Sequence, residues 1–177
     1  MNRTAMRRGL AVTFGGLALA GVVAVGQPAS AATSVNTTGP RPPAPVAGVG
    51  TASTTDSSAA ARNQGGVRGA ELDGVCNTYS SGYGDLCLWY LQNYTGSRAD
   101  FYFGDRNLND NTFVTPGAGQ GARVGNNSES DWNYDRHLTA RVYTGVNYTG
   151  VAGDIPPYTG GNFTSTFRNN VESLKWV

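Results

Sequence analysis

Three sets of side chains in this 177-residue chain are placed to do chemistry. A nucleophilic Ser-His-Asp system would have to use His137, the single histidine, with Asp135 to orient it. Both fall in an Asp135-Arg136-His137 turn, and no Gly-x-Ser-x-Gly elbow accompanies them, so a solvated turn histidine is expected. Glu129 and Glu172 could form a carboxylate pair of the kind that hydrolyses glycosides. They stand at matching points of a repeat, however, and duplication alone accounts for their equivalence. The third set is the strings Asn126-Asn127-x-x-Ser130 and Asn169-Asn170-x-x-Ser173. Here Asn-Asn can supply a turn, and the serine hydroxyls can bond neighbouring hairpins. None of these sets makes an enzyme, and none is expected.

The elements carrying these residues are duplicated. Trp89-Tyr90-Leu91-Gln92-Asn93-Tyr94-Thr95-Gly96 recurs as Tyr143-Thr144-Gly145-Val146-Asn147-Tyr148-Thr149-Gly150. Each copy reads aromatic, four residues, Tyr, one residue, Gly, and each is followed by one of the Asn-Asn strings. Two signatures in the same order, twice, imply two copies of one supersecondary unit. The signatures lie farther apart in the first copy. The surplus maps to 107–125, where Pro116, Gly117, Gly119 and Gly121 mark a loop that is either functional or mobile.

The N-terminal portion differs in kind. Arg3, Arg7 and Arg8 lead into an uncharged, mostly apolar run over 9–26, and Ala29-Ser30-Ala31 supplies a small-residue cleavage site. Residues 1–31 are therefore expected to be an export signal, and the protein to be secreted, with no membrane contact after cleavage. Residues 32–70 are mainly Ala, Thr, Ser, Gly, Pro and Val, without an aromatic. Such a stretch offers too little apolar surface to offset its ordering entropy, so a disordered linker or propeptide is expected. The folded domain is expected at 71–177, a length that supports one modest core and a monomer. The whole chain carries a formal charge of +1, but 71–177 holds seven basic against eleven acidic residues. A mildly acidic domain is not a nucleic-acid binder by electrostatics.

Cys76 and Cys87 are the only cysteines, which in an exported chain suggests one disulfide; zinc ligation lacks partners. No helical period occurs in 71–177. Short β-branched and aromatic segments at 85–91, 98–103, 111–115, 130–134, 138–143, 151–155, 162–167 and 171–176 read as strands. Alternation puts Leu86, Leu88 and Tyr90 on an inward row, matched by Ala140 and Val142, and turns Cys87 to the opposite face. Four antiparallel strands per copy predict an all-β sandwich of two Greek keys. Gly96 and Gly150 are expected at positive φ in a folded hairpin, with Trp89 and Tyr143 packed upon it.

Aromatic-x-x-x-x-Tyr-x-Gly is the Greek-key signature of βγ-crystallins, and the chain resembles that family over 71–177. More narrowly, Cys87-Leu88-Trp89 followed by Asn93-Tyr94-Thr95-Gly96 resembles the opening of the secreted bacterial metalloproteinase inhibitors, peptidase inhibitor family thirty-six. The best-known member braces its reactive loop with a second disulfide, for which this chain has no cysteines, so no reactive-site residue carries over. The crystallin resemblance also implies calcium sites of oxygen ligands at Asn126, Asn127 and Ser130 and at Asn169, Asn170 and Ser173. The motif's last position departs in both copies, as Asp131 and Leu174. No cofactor is otherwise required.

The function expected on these grounds is inhibition of an extracellular protease, a metalloprotease by resemblance, through steric insertion of an extended loop. The alternative is a calcium-binding structural or surface module, and a third class is a small secreted toxin. Two loops could serve an inhibitor. The 115–121 stretch is long, but its glycines predict flexibility. The 153–160 stretch contains Pro156 and Pro157, which fix φ and reduce the entropy lost on binding. Ile155, Pro156, Pro157 and Tyr158 are therefore the expected inhibitory residues, with Ile155 and Tyr158 as apolar anchors.

Overall fold

Among the described residues the chain folds into eleven short strands, one short α-helix and three 3-10 helical turns. The computed structural model describes residues 33–37, 42–44, 46–47, 58–64 and 72–177. The expected export signal lies outside the described residues. In chain order the elements are β1 Thr33–Ser34, β2 Asn36–Thr37, β3 Val46–Ala47, helix α1 Ala59–Asn63 and β4 Asn77–Thr78. The first repeat supplies β5 Leu86–Leu91, β6 Thr95–Phe101 and β7 Ser130–Asn133. The second supplies β8 Ala140–Gly145, β9 Thr149–Ile155, β10 Gly160–Phe163 and β11 Ser173–Trp176. One sheet runs β1-β9-β8-β11 and the other β2-β10-β7-β5-β6; β3 pairs with β4 in a separate parallel ribbon.

The repeats exchange chain between sheets, as Greek keys require. β10 of the second repeat pairs with β7 of the first, aligning Gly160 with Trp132 and Asn162 with Ser130. The reciprocal crossing of the first repeat passes beside β11 at 104–108. There Asp105 and Leu174 form an isolated bridge, and the Leu108 amide donates to the Glu172 carbonyl at 2.8 Å. The strand expected at 111–115 is thus displaced, and its Thr112 makes only a bridge to Arg123. The Phe113 side chain is buried, which produced the strand-like pattern. Its backbone bonds stay within its own loop: its amide donates to Ala122 and its carbonyl accepts from Gly121.

Alternation along β5 and β8 then behaves as the sequence implies. Leu86, Leu88, Ala140 and Val142 meet Phe101, Phe163, Leu174 and Trp176 in one buried cluster, with Tyr90 packed at its margin. Each fully buried Leu or Phe contributes about 1.5–3 kcal/mol. On the other face of β5, Cys87 is bonded to Cys76, with Cα atoms 6.1 Å apart, beside Trp89, Tyr94 and Tyr134.

The N-terminal tract departs from the expectation of disorder wherever it is described. β1 pairs parallel with β9, and β2 antiparallel with β10, so a five-residue strap joins the open edges of both sheets. Val35 between them is buried in the core. Gly153 makes the room: a Cβ there would come within 2.0 Å of Val35 Cγ1. Asn36 Nδ2 donates to the buried Asp131 at 3.1 Å, Pro43 accepts from the Tyr134 hydroxyl at 2.8 Å, and Arg62 of α1 is wholly buried. The composition of 32–70 cannot build a core of its own. Its described residues instead lend single anchors to a core and to sheet edges that already exist. All described residues fall within one compact unit, 31–177.

Asp100, on β6 opposite Cys87, makes stability depend on pH. Burial, then the neighbouring Asp85 carboxylate, push its carboxyl up to about 8, although the Gly74 amide donates to it at 2.7 Å. Between the ordinary aspartate range and pH 8 the folded state holds a proton that the unfolded chain has released. Stability must therefore fall as pH rises from about 4 to about 8. Buried Asp131 is shifted in the same direction by its burial. Asp100→Asn should flatten this slope in urea unfolding across that pH range; an unaltered slope would contradict the assignment.

Candidate functional site

The two signatures fold the chain over at left-handed residues. Asn93, Tyr94 and Gly96 have φ of 58°, 59° and 75°, and Asn147, Tyr148 and Gly150 have 56°, 64° and 79°. The glycines were foreseeable; positive φ at a Tyr was not, because nothing in its chemistry asks for it. What holds it is a serine from a distant strand. The Tyr94 amide donates to Ser130 Oγ at 3.1 Å, and the Ser130 hydroxyl donates to Leu91 O at 2.7 Å. Ser173 repeats this with the Tyr148 amide at 3.0 Å and Gly145 O at 2.6 Å. The leading aromatics pack as expected, with ring centroids 5.3 Å apart for Trp89 and Tyr94 and 5.7 Å for Tyr143 and Tyr148.

The Asn-Asn strings meet across the pseudo-twofold of the repeat. Asn126 (φ 62°) donates its amide to Val171 O at 2.9 Å, and Asn169 (φ 53°) donates its amide to Ser128 O at 2.8 Å. Their side chains reach the opposite repeat: Asn126 Nδ2 bonds Glu172 Oε1 at 2.5 Å, and Asn169 Nδ2 bonds Glu129 Oε1 at 3.1 Å. Each glutamate therefore accepts from the asparagine of the opposite string. Asn127 and Asn170 bond the carbonyls of Gly125 and Thr166. Neutral oxygens dominate here, with one glutamate beside each string. Asn126 Oδ1 is buried without a hydrogen-bond partner. Among the described residues no three His, Cys, Asp or Glu side chains converge on one metal position. A hard cation fits this donor set in type, but the serines already serve the hairpins.

His137 is exposed, its ring 3.1 Å from Ser81 O and 4.8 Å from the Tyr83 ring. Asp135 does not orient that ring. Its Oδ1 accepts the backbone amides of His137 and Leu138, and its Oδ2 faces Arg62. The hydrolytic arrangement is therefore not assembled.

The two candidate loops exchange properties relative to expectation. Ile155 is fully buried in the core and cannot enter a protease cleft. It ends a strand whose alternation points it inward, a parity that the adjacent prolines obscured. Pro156 is exposed, whereas Pro157 and Tyr158 are half-buried. Tyr158 has φ 55°, and its ring lies 6.2 Å from Trp132 and 4.9 Å from the Arg136 guanidinium. The 115–121 loop is braced instead of slack. The Ser97 amide donates to Ala118 O at 2.8 Å, and the Gln120 amide to Gly117 O at 3.1 Å. Gly119, at φ 87°, lies so close to the Tyr90 ring that a Cβ would come within 2.1 Å of it. Pro116, Gly117, Ala118 and Gln120 face outward from this frame. The 115–121 loop consists of bends and turns, and residues 157–158 form the turn between β9 and β10.

Residues 77–155 match peptidase inhibitor family I36. The I36 match takes in Cys87, both hairpin signatures and the braced loop, and it supports a protease-inhibitor role. Cys76 and the second Asn-Asn string lie outside it. The all-β fold has βγ-crystallin neighbours among solved structures. One concerns the evolution of the eye-lens βγ-crystallin domain fold, at 8% identity over 52% of this chain and 84% of that one, with TM-score 0.44. Another is the N-terminal domain of Protein S, at 16% identity over 52% and 94%, TM-score 0.41. A third is a βγ-crystallin from an archaeon, at 18% identity over 52% and 96%, TM-score 0.38. No curated protein matches the chain.

The serine-held hairpins can be tested without any ligand. Ser130→Ala leaves the Tyr94 amide and the Leu91 carbonyl short of a partner, and Ser173→Ala does the same to Tyr148 and Gly145. Each should lower unfolding free energy by about 1–3 kcal/mol in chelator-treated buffer. Wild-type stability in both variants would show that the hydroxyls are free for another role.

Proposed function

We propose that this protein is a secreted inhibitor of an extracellular protease, with a metalloprotease as the favoured target, and that it acts by steric occlusion. The observation that carries this reading is an exposed loop held rigid from two sides inside the I36 match. The Ser97–Ala118 bond fixes its tip, and Tyr90 fills the space under Gly119. A preordered loop loses little entropy on binding, which is what a tight inhibitor needs. Because the loop is a turn, it acts as a wedge across a cleft and not as a substrate-like strand. Pro156, Pro157 and Tyr158 offer a second candidate surface, and the experiment separates the two.

A calcium-stabilised module is the second reading, favoured by the buried, unpartnered Asn126 Oδ1 beside Glu172. Asn126, Asn127, Asn169 and Asn170 would then hold the ion through oxygen. Millimolar calcium should raise the melting temperature through linkage. Asn127→Ala with Asn170→Ala should remove the rise; no rise in the parent leaves the strings as turns.

The purified protein should be assayed against metallo-, serine and cysteine proteases. Ala118→Arg should weaken inhibition of the susceptible enzyme at least tenfold, about 1.4 kcal/mol, at unchanged melting temperature. Pro156→Ala should leave inhibition intact. The opposite pattern would move the contact to the proline turn, and no inhibition across the panel would end the reading.

A further inference from the structure

Helix α1 delivers Arg62 into a slot that the crystallin-like domain builds from its own parts. Arg62 Nε donates to Tyr102 O at 2.7 Å, Nη2 donates to Gly84 O at 2.7 Å, and Nη1 pairs with Asp135 Oδ2. The guanidinium carbon lies over two aromatic rings, 4.0 Å from the Tyr102 ring centroid and 3.7 Å from that of Trp176. Arginine and carboxylate are both fully buried.

The carboxylate is positioned without help from Arg62. Its Oδ1 accepts the His137 and Leu138 amides at 2.7 and 2.8 Å, and the Gly84 amide reaches Oδ2 at 3.1 Å. Two carbonyls, a fixed carboxylate and two aromatic faces match a flat, forked cation. A compact ammonium lacks the planar fork that spans the carboxylate and both carbonyls at once, and it cannot stack flat on the rings. The next residue is held as well. Asn63 Nδ2 donates to Trp176 O at 2.6 Å, and Asn63 Oδ1 accepts the Trp176 amide at 2.7 Å. The Gly104 amide donates to Arg62 O at 2.8 Å.

We propose that this slot is a guanidinium-binding site of the domain, filled in cis by Arg62 and able to take an arginine side chain supplied by another peptide. It recognises an Arg-Asn pair through side-chain fork, ring stacking and the backbone of Trp176. In cis it seats α1 on the domain. The site is independent of the protease reading.

Arg62→Ala in the full chain should melt below the parent, because Asp135 is left buried without its counter-charge. Ethylguanidinium at millimolar concentration, far below denaturing levels, should raise the melting temperature of that variant along a saturable curve. Ethylammonium should need at least about tenfold more for the same shift. The parent, its slot filled, should show no saturable shift, and Asp135→Asn added to Arg62→Ala should abolish the effect. If Arg62→Ala does not fold in buffer, refolding with each additive, read by tryptophan fluorescence, gives the same comparison. Equal rescue by the two cations, or no rescue, overturns the proposal.

Discussion

The whole architecture depends on a hairpin that bends back on itself through left-handed residues. A non-glycine residue in that region costs roughly 1–2 kcal/mol, and each repeat places an Asn and a Tyr there in succession. The serine from β7 or β11 offsets this by capping one amide and one carbonyl of the fold. The Trp89–Tyr94 and Tyr143–Tyr148 contacts then cover the bend. The bend also shifts the register of each hairpin, between Trp89 and Leu91 and between Tyr143 and Gly145. Aromatic, Tyr, Gly and Ser recur together because one conformation needs all four.

Edge protection is the second organising constraint. Without the strap at 33–37, β9 and β10 would present open edges, a liability for any sandwich. The strap covers both. β6, the far edge of the sheet that holds β10, is covered by the inserted loop, whose Val114 amide donates to Arg98 O at 3.0 Å and whose Ala118 carbonyl accepts from Ser97. The segment argued to wedge into a protease is therefore also the segment that closes an edge, and its rigidity comes from that pairing. Polar groups follow the strap into the interior: Asp131 is tolerated there with Asn36 beside it and its charge suppressed by burial.

The parts of this design that rest on local chemistry were legible in the sequence. The duplicated signature gave the fold class, alternation gave the core faces of β5 and β8, and two cysteines gave their bond. The parts that rest on distant partners were not. Phe113 is buried as a strand residue would be, yet its backbone partners lie in its own loop. Ile155 beside two prolines looked like a surface anchor, but strand parity turns it inward. Val35 and Arg62 sit in a tract whose composition argues for disorder. Each is ordered by a vacancy in the domain, above Gly153 and between Tyr102 and Trp176, that no local pattern reveals. The glycines of 115–121 signalled flexibility, whereas they are what lets the loop lie against Tyr90.

The central claim is that the braced loop is the surface that meets a protease. Hydrogen exchange on the protein alone and in complex with an enzyme it inhibits tests this directly. The account predicts new amide protection concentrated at 115–121, with little change at the Asn-Asn turns around 126 and 169. Protection centred on those turns, or on 156–159 with the loop unaffected, would contradict it.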